Sequence, residues 1–89
     1  MIARDLSIRN RLGLHARAAA KFVQTASRFD SEVKIRKSGE EVDGKSILGI
    51  LLLAASQGTD ITLAVSGSDE KDAFGALEDL IARSFDEEE

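Results

Sequence analysis

The sequence predicts an α+β fold: a two-layer sandwich with helices on one face of a four-stranded, mainly antiparallel sheet, in the order β-α-β-β-α-β-α. Three observations carry the prediction. Val33 and Ile35, and again Ile61, Leu63 and Val65, alternate with polar or small neighbours, the two-residue period of half-buried strands. Ala19, Phe22, Val23 and Ala26, and later Phe74, Leu77, Leu80 and Ile81, recur at the three-and-four spacing of helices packed on one side. Ser38-Gly39 separates two short extended runs, which makes a hairpin and therefore an antiparallel pair.

Each element follows in turn. Ile2–Arg9 is a strand in which Ile2, Leu6 and Ile8 share one parity and Arg4 interrupts it. Asn10–Leu14 is a loop, with Gly13 free to take backbone angles that other residues resist. Ala16–Arg28 is a helix, favoured by alanine at 16, 18, 19 and 20 and with Arg17, Lys21, Gln24 and Arg28 mostly on its outer side. Ser31–Lys37 and Glu40–Asp43 form the hairpin, with Val42 as the core residue of the return strand. ILGILLLAAS reads as a short helix capped by Ser46, because leucine and alanine outnumber β-branched residues. So short a helix cannot bury Ile47, Leu48, Leu51 and Leu52 together, so an exposed apolar patch is expected. Gln57-Gly58-Thr59 turns into the strand Asp60–Ser66. Gly67-Ser68-Asp69 then opens a helix with Asp69, Glu70 and Asp72 in its first turn and a stripe running on to Phe85. Asp86–Glu89 puts like charges at the unfavourable helix end, where fraying is expected.

At 89 residues the chain suits one domain, 1–89. It has no cysteine, which excludes disulfides, zinc–thiolate sites and thiol nucleophiles. The longest apolar run, Ile47–Ala55, is too short to span a membrane, and MIARDLS lacks an apolar signal core. A cytoplasmic protein is expected. The net charge of −4 conceals a split: residues 1–37 hold nine Lys/Arg against three Asp/Glu, residues 38–89 three against thirteen. Overall acidity argues against a nucleic-acid binder, while the basic first part suits an anionic substrate or an acidic partner.

The candidate chemistry lies in RLGLHARAAA, residues 11–20, which contains the single histidine, His15. Imidazole is a competent nucleophile near neutral pH. The helix beginning just after it offers unpaired N–H groups to an anion, and Arg17 in the first turn adds a guanidinium. Together these suit a phosphoryl group attached to the ring. The same features also describe an ordinary helix cap, or a module that binds an anion without covalent chemistry. One histidine without clustered carboxylates or thiols cannot complete a metal site, so no metal or cofactor is expected. Gly39-x-x-x-x-Gly44-Lys45-Ser46 matches a phosphate-loop pattern formally. Glu40, Glu41 and Asp43 would repel phosphates there, so the match is read as coincidence.

GLHAR at 13–17 with AAAKFVQTAS after it, GKSILGILLLAA at 44–55 and DITLAVSGSDEKDAFGALEDL at 60–80 resemble HPr, the family of histidine-containing phosphocarriers of the bacterial phosphoenolpyruvate-dependent phosphotransferase system. The resemblance implies the open-faced βαββαβα sandwich. It implies that His15 accepts a phosphoryl group on Nδ1 from phosphorylated Enzyme I and passes it to IIA-type proteins, as a carrier and not a turnover catalyst. Arg17 and the backbone N–H groups of Ala16 and Arg17 would hold the phosphoryl group. Ser46 would be the target of the family's ATP-dependent kinase, HPr kinase/phosphorylase, and Ile47, Leu48 and Leu51 would lie on the docking face of a monomer. A regulatory relative in a nitrogen-related branch is the alternative within the family; His15 disfavours a serine-only form. Two positions depart from the family pattern. Ala18 stands where proline is usual, and Leu12 stands where a small polar residue usually helps to hold the imidazole.

Overall fold

The computed structural model describes residues 1–87. Its elements are β1 (Ile2–Ser7), α1 (Ala16–Ala26), β2 (Glu32–Lys37), β3 (Glu40–Asp43), α2 (Ile47–Leu53), β4 (Asp60–Ser66) and α3 (Glu70–Ala82), followed by a 3-10 turn at Ser84–Asp86. The strands form one sheet in the order β1-β4-β2-β3, and all three pairings are antiparallel. This is the expected open-faced sandwich.

The register explains the core. Val65 lies between Ile2 of β1 and Val33 of β2, and Leu63 between Arg4 and Ile35, which in turn faces Val42 of β3. These same-parity positions point to one face of the sheet. The helices close that face with Ala18, Ala19, Phe22 and Ala26 from α1, Ile50 and Leu53 from α2, and Ala73, Phe74, Leu77, Leu80 and Ile81 from α3. Arg4, which interrupts the apolar parity of β1, is accommodated at the sheet edge. Its guanidinium lies 5.1 Å from the centroid of the Phe74 ring and 3.5 Å from Glu78.

Four boundaries differ from expectation, each for a physical reason. β1 ends at Ser7 although Ile8 is buried; Ile8 bonds through its backbone to Thr59 and Gly58 in the turn before β4. α1 stops at Ala26, where Ser27 caps its C-terminus. Ser31 is not part of β2, and Asp69 is not in the first turn of α3. Asp69 occupies the N-cap position, its carbonyl accepting from Ala73 N–H, but its side chain makes no cap bond to its own helix; the carboxylate instead accepts the N–H groups of Asp30 and Ser31, each at 2.9 Å, and the Ser31 hydroxyl. Gly67 approaches Ser31 so closely that a Cβ would fall 2.6 Å from its hydroxyl oxygen, so this clamp requires glycine there.

The C-terminal end departs most. Ser84, Phe85 and Asp86 take φ angles of 56°, 57° and 61°, a left-handed turn that L-residues resist. The turn buries Phe85 completely and lets Lys21 Nζ donate to the Phe85 carbonyl at 2.7 Å. α3 ends at Ala82, so Asp86 and Glu87 do not sit on the end of that helix as expected; Asp86 closes the 3-10 turn and Glu87 follows it. Residues 88–89 of the expected frayed end lie outside the described residues. Among the described residues, no helix is long and apolar enough to cross a membrane.

Candidate functional site

The loop between β1 and α1 is held tightly. Gly13 has φ +67°, and a Cβ on it would meet the Ala55 carbonyl oxygen at 2.4 Å. Leu14 N–H donates to that same carbonyl at 2.9 Å. Glycine is thus required for both backbone angle and close approach. The loop brings His15 to the N-cap of α1 and ties it to the chain just beyond α2.

His15 has extended backbone angles, φ −79° and ψ −179°, and its carbonyl accepts the first helical bond, from Ala19 N–H at 2.8 Å. The amides of Ala16, Arg17 and Ala18 therefore precede the helical ladder. His15 Nδ1 accepts from Arg17 N–H at 3.3 Å. The Nδ1 lone pair thus points into the helix N-terminus, where the dipole favours negative charge. Ala16 and Arg17 are exposed, and the His15 side chain is 27% exposed. The three residues that sequence reasoning assigned to phosphoryl binding are brought together. Ala18 is completely buried; its amide precedes the first helical bond, so its place in the helix does not depend on proline.

Two further residues complete the site, and sequence reasoning missed both. Glu87 Oε2 lies 2.5 Å from His15 Nε2, and Asn10 Nδ2 donates to Glu87 Oε1 at 2.5 Å and to the Gly13 carbonyl at 2.6 Å. Burial opposes ionisation of Glu87, but the hydrogen bonds from His15 and Asn10, with the Arg17 charge nearby, outweigh it, leaving its carboxyl below the usual value. Asn10 is completely buried, and its orientation is fixed by two acceptors on its amide nitrogen. Leu12 is 67% exposed and offers the ring no polar group.

Ser46 caps α2, with its hydroxyl accepting from Gly49 N–H at 3.1 Å. Lys45 points elsewhere, donating to the Phe29 carbonyl at 2.8 Å, and residues 40–43 form β3, so the formal phosphate-loop pattern makes no phosphate loop. Ile47, Leu48, Leu51 and Leu52 are all exposed, as the length of α2 predicts; Leu52, at 70%, was not among the expected docking residues.

Residues 2–83 match the family model described as PTS HPr component phosphorylation site. The phosphocarrier protein HPr of Cupriavidus necator is 51% identical over 89 residues, covering all of both chains. A crystal structure of HPr-C-His from Thermoanaerobacter tengcongensis superposes with a TM-score of 0.96 at 47% identity, again covering both chains fully. An HPr dimer from the same organism gives a TM-score of 0.79 at 49% identity, covering 92% of this chain and 94% of that one.

Proposed function

The chain belongs to the HPr family of phosphocarriers of the phosphotransferase system, and on that premise we propose that His15 is its phosphoryl acceptor, loaded by phosphorylated Enzyme I and discharged to IIA-type proteins. One observation carries the proposal: the His15 Nδ1 lone pair faces the start of α1, where it accepts from Arg17 N–H at 3.3 Å. In the step itself, Nδ1 attacks phosphorus as the bond to the donor breaks, and that bond's electron pair leaves with the donor. The three phosphoryl oxygens then lie against the Ala16 and Arg17 amides and within reach of the Arg17 guanidinium. Reversal toward an acceptor returns Nδ1 unchanged, so the chain acts stoichiometrically. A single domain, a monomeric working form and a cytoplasmic setting complete this reading.

We further propose that Ser46 is a regulatory site. Its hydroxyl caps the start of α2, the helix that carries Ile47, Leu48 and Leu51, and a phosphate there would place about two negative charges near Asp43 and at the edge of the proposed docking face. Incubation with HPr kinase/phosphorylase and ATP followed by mapping checks this; label absent from Ser46 rejects it.

The carrier reading is checked with Enzyme I, magnesium and labelled phosphoenolpyruvate. The expected label is acid-labile and base-stable, and it disappears in His15→Ala. An unlabelled wild type would instead leave an anion-binding module.

A further inference from the structure

We propose that Glu87 is a positioning residue for the phosphoryl acceptor: its carboxylate holds the proton on His15 Nε2, so that Nδ1 presents its lone pair to phosphorus. The inference rests on the carrier reading and deepens it. Glu87 lies beyond the residues matched by the family model, which end at 83.

Two independent contacts define the same tautomer. Arg17 N–H requires Nδ1 to be an acceptor, and a carboxylate 2.5 Å from Nε2 requires Nε2 to be the donor. Glu87 is held in turn. Its second oxygen takes the Asn10 amide, and Asn10 cannot reverse that amide without turning its oxygen toward the Gly13 carbonyl. Phe85, fully buried two residues earlier, anchors the left-handed turn that delivers the carboxylate. The arrangement also supplies what the exposed Leu12 lacks, a polar partner for the ring. As the N–P bond forms, the imidazole develops positive charge; the Nε2 proton remains on the ring and the carboxylate opposite stabilises that charge.

Glu87→Gln is a sharp probe because its amide cannot satisfy both neighbours. Turning its oxygen to His15 puts its NH2 against the Asn10 NH2. Turning it the other way puts NH2 against Nε2, which favours the proton on Nδ1, the reacting atom. Transfer from Enzyme I to Glu87→Gln is therefore expected to fall at least about ten-fold at saturating donor, with KM little changed. Glu87→Ala is expected to fall less, since a ring without a partner is free to sample the productive tautomer.

Nitrogen-15 spectra of the neutral ring supply a readout independent of transfer. A pyridine-like Nδ1 and a pyrrole-like Nε2 are expected in the wild type, moving toward the reverse pattern in Glu87→Gln. A wild type labelled on His15 with Glu87→Gln transferring within about two-fold of it overturns the role of Glu87 and leaves the carrier reading standing. A slowed variant with unchanged nitrogen spectra also overturns it, since the contact would then be only structural. An unlabelled wild type overturns both.

Discussion

Arg17 and Asp69 show how differently charged side chains serve this small molecule. Arg17 is exposed in the first turn of α1, where alanine is an equally good helix former. Arg17→Ala should leave the denaturation midpoint within about 0.5 kcal/mol of the wild type. It should also slow phosphoryl transfer by roughly ten- to a hundred-fold, the scale of one charged hydrogen bond of about 1.5–3 kcal/mol. Unchanged transfer kinetics would remove Arg17 from the chemistry. Asp69 is structural. The Ser31 hydroxyl and the Asp30 and Ser31 amides hold its carboxyl below the usual aspartate value despite some desolvation. A carboxyl depressed on folding contributes stability above its unfolded pKa and loses that contribution as pH falls through its folded pKa. Asp69→Asn should therefore be less stable than the wild type near pH 7, and the gap should close as the medium is acidified through the native carboxyl's titration. Urea midpoints followed by circular dichroism across that range check it; a gap independent of pH would count against the clamp.

At the scale of elements, the C-terminal turn is the least expected piece and the most consequential. Phe85→Ala removes a completely buried ring and should cost about 3 kcal/mol or more in unfolding free energy. A loss below about 1 kcal/mol would mean that the turn does not anchor the segment. That piece was also the least legible. Alternation at Ile61, Leu63 and Val65 and the stripe along α3 follow from local period, and Ser46 before an apolar run marks the cap of α2. His15 was found because a lone imidazole beside Gly13 and Arg17 is a local constellation. Glu87 carries no such mark, since it is one of four consecutive acidic residues, 86–89. Its route to His15 passes through three left-handed residues, none of them glycine, a conformation that local preference disfavours and that burial of Phe85 and the Lys21 bond to its carbonyl stabilise. Asp69 is hard to read from sequence for a related reason: an acid before a helix looks like a dipole partner, whereas its donors lie in the chain between α1 and β2.

For the whole molecule, the distribution of charge and apolar surface decides how partners meet it. The basic residues concentrate in residues 1–37, which contain the His15 loop, and that loop is pinned to the chain beyond α2 through the Leu14–Ala55 hydrogen bond. Leu48 and Leu52, 67% and 70% exposed, lie on α2, whose C-terminal end adjoins that bond. An acidic partner would be steered by the charges and retained by the leucines, with the two contributions separable by measurement. Leu48→Asp changes a side chain that packs little, so stability should hold within about 0.5 kcal/mol. It places a negative charge in the contact, so KM for transfer from Enzyme I should rise about ten-fold or more while the rate at saturation stays near that of the wild type. Raising ionic strength from about 0.01 M to 1 M shortens the screening length from roughly 30 Å to 3 Å. The association rate of the wild type should fall across that range while the chemical step, shielded inside the complex, changes little. If kcat and KM of Leu48→Asp both match the wild type, α2 is not the docking element, and the exposed leucines serve another contact.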